Sequence, residues 1–171
     1  MDVWDTIADE AAAESPLWRD ALRAGPEREP IFSTLAEERF RLGIETIFEG
    51  YLVHYGRPRL FAPGDAETAL LLGDYLYAHG LVRIASLGEV GAVADLAELI
   101  SLCAQLRADG SAGDGSAWAA TATLLGRGAL AAARAALRDG GDPAVLDELA
   151  RGASGDAALD RALAAHAARV G

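Results

Sequence analysis

Residues 54–80, HYGRPRLFAPGDAETALLLGDYLYAHG, decide how the chain is read. Gly56 and Pro58 close one helix, because proline has no N–H to donate and clashes with the preceding turn. Asp65 then opens the next helix, which the pattern carries to about Leu87. Leu70, Leu72, Gly73, Leu76, Tyr77, Gly80, Leu81 and Ile84 leave little of that helix polar, so it is expected at the centre of the molecule. Gly73 and Gly80 should each cost about 1 kcal/mol relative to Ala inside a helix. A close crossing with another helix is the expected compensation.

Upstream, the spacing predicts a long helix beginning near Ser33 or Thr34. Thr34 and Glu37 have the form of a capping box, and Ala36, Phe40, Ile44, Ile47, Phe48, Tyr51, Leu52 and Tyr55 form one apolar stripe. Nearer the start, residues 3–13 read as a short helix. Ser15-Pro16 reads as an N-cap with proline in the first turn of a second helix, which reaches Leu22 before residues 24–30 break it. Downstream, helices are expected over 89–108, 118–138, 144–151 and 156–170. The DGSAGDGS segment at 109–116 is expected to be a flexible internal loop. No stretch alternates as a strand would. The expected architecture is all-α, a single helical domain over 1–171 built as a bundle of antiparallel helices.

Composition narrows the function. The chain has 171 residues, a net charge of −11 and 15 basic residues, every one an arginine. Binding to nucleic acid needs a basic surface that displaces counterions, which this chain lacks. The absence of lysine also removes Schiff-base chemistry. Cys103 is the single cysteine, so an internal disulfide is excluded and a cytoplasmic location is expected. The N-terminal residues carry no apolar signal-like core, and no run is long enough for a transmembrane segment. P-loop, Gly-x-Gly-x-x-Gly and Gly-x-Ser-x-Gly motifs are absent.

The stretch from Glu45 to Leu76 resembles the trans-isoprenyl diphosphate synthases, the polyprenyl synthetase family. In that family a helix with an aspartate-rich DDxxD motif is followed by Arg-Arg-Gly-x-Pro, a loop, and a helix opening with an apolar run and Gly-Asp-x-Leu. Here Gly56-Arg57-Pro58 stands in the Gly-x-Pro place and Gly73-Asp74-Tyr75-Leu76 in the Gly-Asp-x-Leu place. The segment 120–137 is similar to the family's Lys-Thr helix, with Thr121 or Thr123 but no lysine. The resemblance spans roughly residues 35–138 and implies an isoprenoid-synthase-like bundle.

The departures bear on activity. Glu45-Thr46-Ile47-Phe48-Glu49 stands where DDxxD would be, and His54-Tyr55 where the paired arginines would be. Asp156 to Asp160 is the one candidate for a second aspartate motif. Ionising an allylic diphosphate takes about three Mg²⁺ ions bridging two carboxylate clusters, which neutralise the departing pyrophosphate. The resemblance therefore implies a noncatalytic accessory subunit, a pseudoenzyme partnered with a polyprenyl synthase or with itself in isoprenoid biosynthesis. No catalytic residue is assigned. A helical scaffold protein unrelated to isoprenoids is the alternative, and a reduced prenyl diphosphate binder the third reading.

The candidate site residues follow from these positions. Glu45 and Glu49, four apart on one face, would hold Mg²⁺ if a residual metal site survives. They otherwise belong to a solvated stripe with Glu38 and Arg41, where Arg41 and Glu45 would pair. Arg57 and Arg59 would bind the diphosphate or a partner carboxylate. Asp74 lies mid-helix among apolar residues; if buried it needs a partner, and a bond to a neighbouring helix is expected rather than metal binding. The tyrosines at 51, 55, 75 and 77 and the thiol of Cys103 are expected in the core.

Overall fold

The computed structural model describes residues 2–170. Nine α-helices follow in order among them: α1 Val3–Glu14, α2 Pro16–Asp20, α3 Arg41–Tyr55, α4 Ala66–Ala85, α5 Val90–Ala108, α6 Asp114–Thr123, α7 Ala131–Gly140, α8 Ala144–Ser154 and α9 Asp156–Val170. The all-α expectation holds: the described residues form no strand, and the nearest thing to one is an isolated antiparallel bridge between Leu22 and Phe61. No helix among them is long and apolar enough to cross a membrane.

The caps follow the sequence. Ser15 Oγ accepts from the Leu17 N–H at 3.1 Å with Pro16 in the first turn of α2. Asp65 accepts the Thr68 N–H at 2.8 Å and opens α4. Asp142 receives the Ala144 N–H at 2.9 Å before α8.

α3 and α4 run antiparallel and form the closest helix pair. A Cβ on Gly50 would lie 3.0 Å from the Gly73 carbonyl oxygen, and one on Gly80 would lie 3.0 Å from that of Gly43 and overlap Ile47. The expected compensation for helical glycine is thus present, and α3 supplies two further glycines to the seam. Removing four side chains lets the two backbones touch, and the dispersion gained along the contact offsets the helix-propensity cost.

The main core gathers around Trp118 of α6, whose indole is 1% exposed. It stacks on Phe32 at 5.7 Å and meets Phe48 edge-on at 5.0 Å. A second cluster packs Trp4, Ile7 and Trp18 from α1 and α2 against Phe61 and against Leu72 and Leu76 of α4. Cys103 lies in the main core as a free buried thiol, and burial pushes its pKa up.

Several helix boundaries differ from the sequence reading, and α8 continues to Ser154. Residues 32–35 and 38–40 form short 3-10 turns, and α3 begins only at Arg41. Thr34 Oγ1 donates to the Ile31 carbonyl at 2.6 Å instead of capping a helix. The 118–138 helix is also broken: α6 stops at Thr123 and α7 starts at Ala131. Gly126 and Gly128 between them adopt φ of 76° and 66°, a left-handed conformation that helices do not continue through. The 109–116 segment is shorter as a loop than expected, because α6 already begins at Asp114.

Candidate functional site

Glu45 and Glu49 do share a face of α3, but that face points inward. Both are 0% exposed, so the expectation of a solvated stripe is overturned. The cause is Arg59, which the chain brings back over α3 after the Gly56–Pro58 turn. Arg59 is also 0% exposed. Its Nη1 donates to Glu45 Oε2 at 2.7 Å, and its Nε to Glu49 Oε2 at 3.0 Å. Glu49 Oε1 accepts the backbone N–H groups of Arg59 and Leu60 at 2.8 and 2.7 Å. Glu45 Oε1 accepts the buried Ser33 hydroxyl. All four carboxylate oxygens are therefore occupied by this chain's own donors.

The guanidinium is also sandwiched by rings, 4.6 Å from the centroid of Trp4 and 5.1 Å from that of Phe48. Burial works against its charge, but the two carboxylates outweigh that and hold its pKa above the ordinary value. The Arg41–Glu45 pair expected from spacing does not form; Arg41 instead approaches Glu38 at 3.6 Å.

Arg57, two residues from Arg59, points the other way and is exposed. Its side chain donates to the Ala168 carbonyl and its backbone N–H to that of Arg169 at 3.0 Å. It thereby satisfies the last carbonyls of α9, which have no partner within their own helix. Arg169 reaches back to Glu27 at 2.7 Å. The two arginines expected to act together on one phosphate thus lie on different faces of the turn.

Asp74 does bond a neighbouring helix, through His54 at 3.2 Å, but its side chain is 65% exposed rather than buried. Burial lowers the pKa of His54, and Asp74 counteracts this only in part. Asp156 and Asp160 are exposed and both pair with Arg151, at 2.9 and 3.2 Å. Thr121 is buried beside Arg134, while Thr123 bonds back to Ala119 within its own helix. The described residues contain no group of three or more His, Cys, Asp or Glu arranged to hold a metal ion.

A second polar cluster was not anticipated. Asp114 Oδ2 accepts from the Tyr51 hydroxyl and from Arg107 Nη2, and lies 3.2 Å from His166 Nε2. Arg107 also donates to the Tyr51 oxygen, from Nε at 3.1 Å and Nη2 at 2.8 Å. The four residues come from α3, α5, α6 and α9. Burial alone would raise the Asp114 pKa, but His166, Tyr51 and Arg107 hold it well below the usual carboxylate range. The Tyr51 pKa is pushed up by burial first and by the Asp114 charge second.

Arg107, Asp114 and His166 border a cleft of about 410 Å³ whose other walls include Leu106, Ala167 and Val170. Sequence reading missed this site because its members lie 52 to 63 residues from Asp114 on either side, Arg107 excepted. Asp114 sat in an expected loop, and Tyr51 and His166 occupied apolar helical positions. The one local signal was a carboxylate after Gly113, where a helix begins.

No protein-family model matches the chain, and no curated protein or solved structure matches it either.

Proposed function

We propose that this chain is a noncatalytic accessory subunit that associates with a polyprenyl diphosphate synthase in the cytoplasm. The observation that carries the reading is Arg59, which is bonded to both Glu45 and Glu49 inside the protein. In a working synthase of the family it resembles, the corresponding place would present open carboxylates to Mg²⁺. Here a guanidinium supplies the positive charge permanently. Mg²⁺ demands near-ideal oxygen coordination, and these carboxylates have no oxygen left to offer without expelling Arg59. A prenyl diphosphate binder built on Glu45, Glu49 and Arg57 is disfavoured on the same ground.

The surface supports a protein partner. Leu70, Leu71 and Val82 stand exposed on the outer face of α4, and Leu87 and Val90 on the turn into α5. Between Leu70 and Ala97 the exposed positions carry one charged residue, Asp74. In a chain of net charge −11, this stretch offers another protein little charge repulsion. Exposed apolar side chains gathered on one face of a helix are candidates for such a contact.

The test is recovery of the native protein from its source cells, followed by addition to the synthase that co-purifies. The expected result is a change in product chain length or rate, abolished by Leu71→Glu with Val82→Glu while the helical spectrum persists. No change at saturating amounts sinks the proposal. Recovery as a self-assembled oligomer without a synthase would favour a helical scaffold outside isoprenoid metabolism.

A further inference from the structure

The buried ionic clusters differ in their carboxylates, although Arg59 Nη2 and Arg134 Nε, like Arg107 Nη1, have no partner among the described residues. The Glu45–Arg59–Glu49 cluster has no free carboxylate oxygen. In the pair joining α5 to α7, Asp95 is equally full: Oδ1 accepts Arg134 Nη1 at 2.9 Å and Oδ2 the Gly126 N–H at 2.8 Å. The Asp114 network is different. All its bonds converge on Oδ2, and Oδ1 accepts from none of the described residues. Arg107 uses Nε and Nη2, while its Nη1 donates to none of them. Both residues line the cleft, with side chains 26% and 14% exposed for Arg107 and Asp114.

The ligand chemistry follows from this pair of vacant groups. An anion at the cleft would be attracted by Arg107 but repelled by Asp114, and a cation would meet the reverse. A neutral head with an acceptor beside a donor matches both. Its carbonyl oxygen would accept from Arg107 Nη1, and its N–H would donate to Asp114 Oδ1. Leu106, Ala112, Ala167 and Val170 give the cleft an apolar side that suits a short aliphatic body, while Ser111 and His166 also line it. Clefts of this size that combine apolar walls with a few convergent polar groups are the usual form of small-molecule sites.

The polar wall is also held in place before any ligand arrives. Tyr51 is 0% exposed and His166 4%, and both anchor Asp114 from the core side. The His166 ring packs against Phe32 and Tyr51 at 5.3 and 5.8 Å. Little freedom remains to be lost on binding.

We propose that the α5–α6–α9 cleft binds a small neutral carboxamide or lactam with a short aliphatic body, read by Arg107 and Asp114. The site stands independently of any synthase partner.

The experiment is an NMR titration of the full chain with three isosteric probes: valeramide, valerate and pentylamine. Valeramide should shift the backbone amides of residues 110–115 and 167–170 saturably, and bind about tenfold tighter than either charged probe, a difference of about 1.4 kcal/mol. Ala167→Trp, an exposed position on the cleft wall, should fill the space and abolish those shifts without touching the polar network. Asp114→Asn should erase the preference for valeramide over valerate. Equal or tighter binding of a charged probe overturns the ligand class. Shifts that do not saturate, or that survive Ala167→Trp, overturn the site.

Discussion

Two ionic clusters lie on opposite sides of α3, and they solve the same physical problem differently. The Glu45–Arg59–Glu49 cluster excludes water entirely, and its three charged side chains are each 0% exposed. The Asp114 network is half open, with its carboxylate at the edge of a cleft. A sealed cluster has no solvent to replace a lost partner, so any deletion leaves an uncompensated charge in a medium of low polarity. An open one can recruit water at its exposed edge, so it tolerates the loss of a partner better. The first belongs to folding, and the second can serve binding.

This contrast makes graded predictions. Arg59→Ala should have the largest effect, a loss of about 3–5 kcal/mol in urea unfolding, because two buried carboxylates lose their counter-charge. Replacing all three at once, with Glu45→Leu, Glu49→Met and Arg59→Met, should cost far less. If the single and triple variants are equally unstable, the sealed-cluster account is wrong. Ser33→Ala removes a hydroxyl bonded to the buried Glu45 and should cost about 1.5–3 kcal/mol in the same assay.

On the open side, Asp114→Asn should cost about 1–2 kcal/mol, less than Arg59→Ala, since the amide keeps one acceptor for Tyr51 and Arg107 and the cleft edge stays hydrated. Its pH signature is more telling. The folded Asp114 pKa lies below its ordinary value, so its stabilisation is complete above the unfolded pKa of about 3.9 and disappears as pH falls through the depressed folded value. Thermal melts below about pH 4 should therefore show a shallower loss for Asp114→Asn than for the parent. The smallest effect belongs to the exposed Glu38–Arg41 contact: Glu38→Ala should change stability by less than about 0.5 kcal/mol.

The same contrast explains what was legible in the sequence. The stripe from Phe40 to Tyr55 and the apolar run after Asp65 placed the bodies of α3 and α4, because period is local, although α3 starts only at Arg41 without the expected Thr34 cap. Gly73 and Gly80 announced a close crossing for the same reason. Glu45 and Glu49 misled, because charges four apart on a helix are usually solvated. Their burial depends on Arg59, which lies outside the helix and follows a turn. A one-dimensional pattern records which residues share a face, but not what the chain later lays across it. The helix over 118–138 failed locally instead: alanine-rich propensity hid the two left-handed glycines that separate α6 from α7. The Asp114 network was beyond reach, since four helices must be assembled before its members meet.

The clasp between Arg57, Arg169 and Glu27 carries a consequence for synthesis. Residues 27 and 169 are joined by a charged bond at 2.7 Å, and α9 receives its final hydrogen bonds from the turn after α3. On a ribosome, α9 emerges after every element it fastens. The segment around Glu27, bonded to Arg59 through its backbone, and the turn at Arg57 must therefore wait without this clasp while α4 to α8 are made. The nascent chain should stay sensitive to protease at residues 24–30 until α9 is released, and become resistant in one late step.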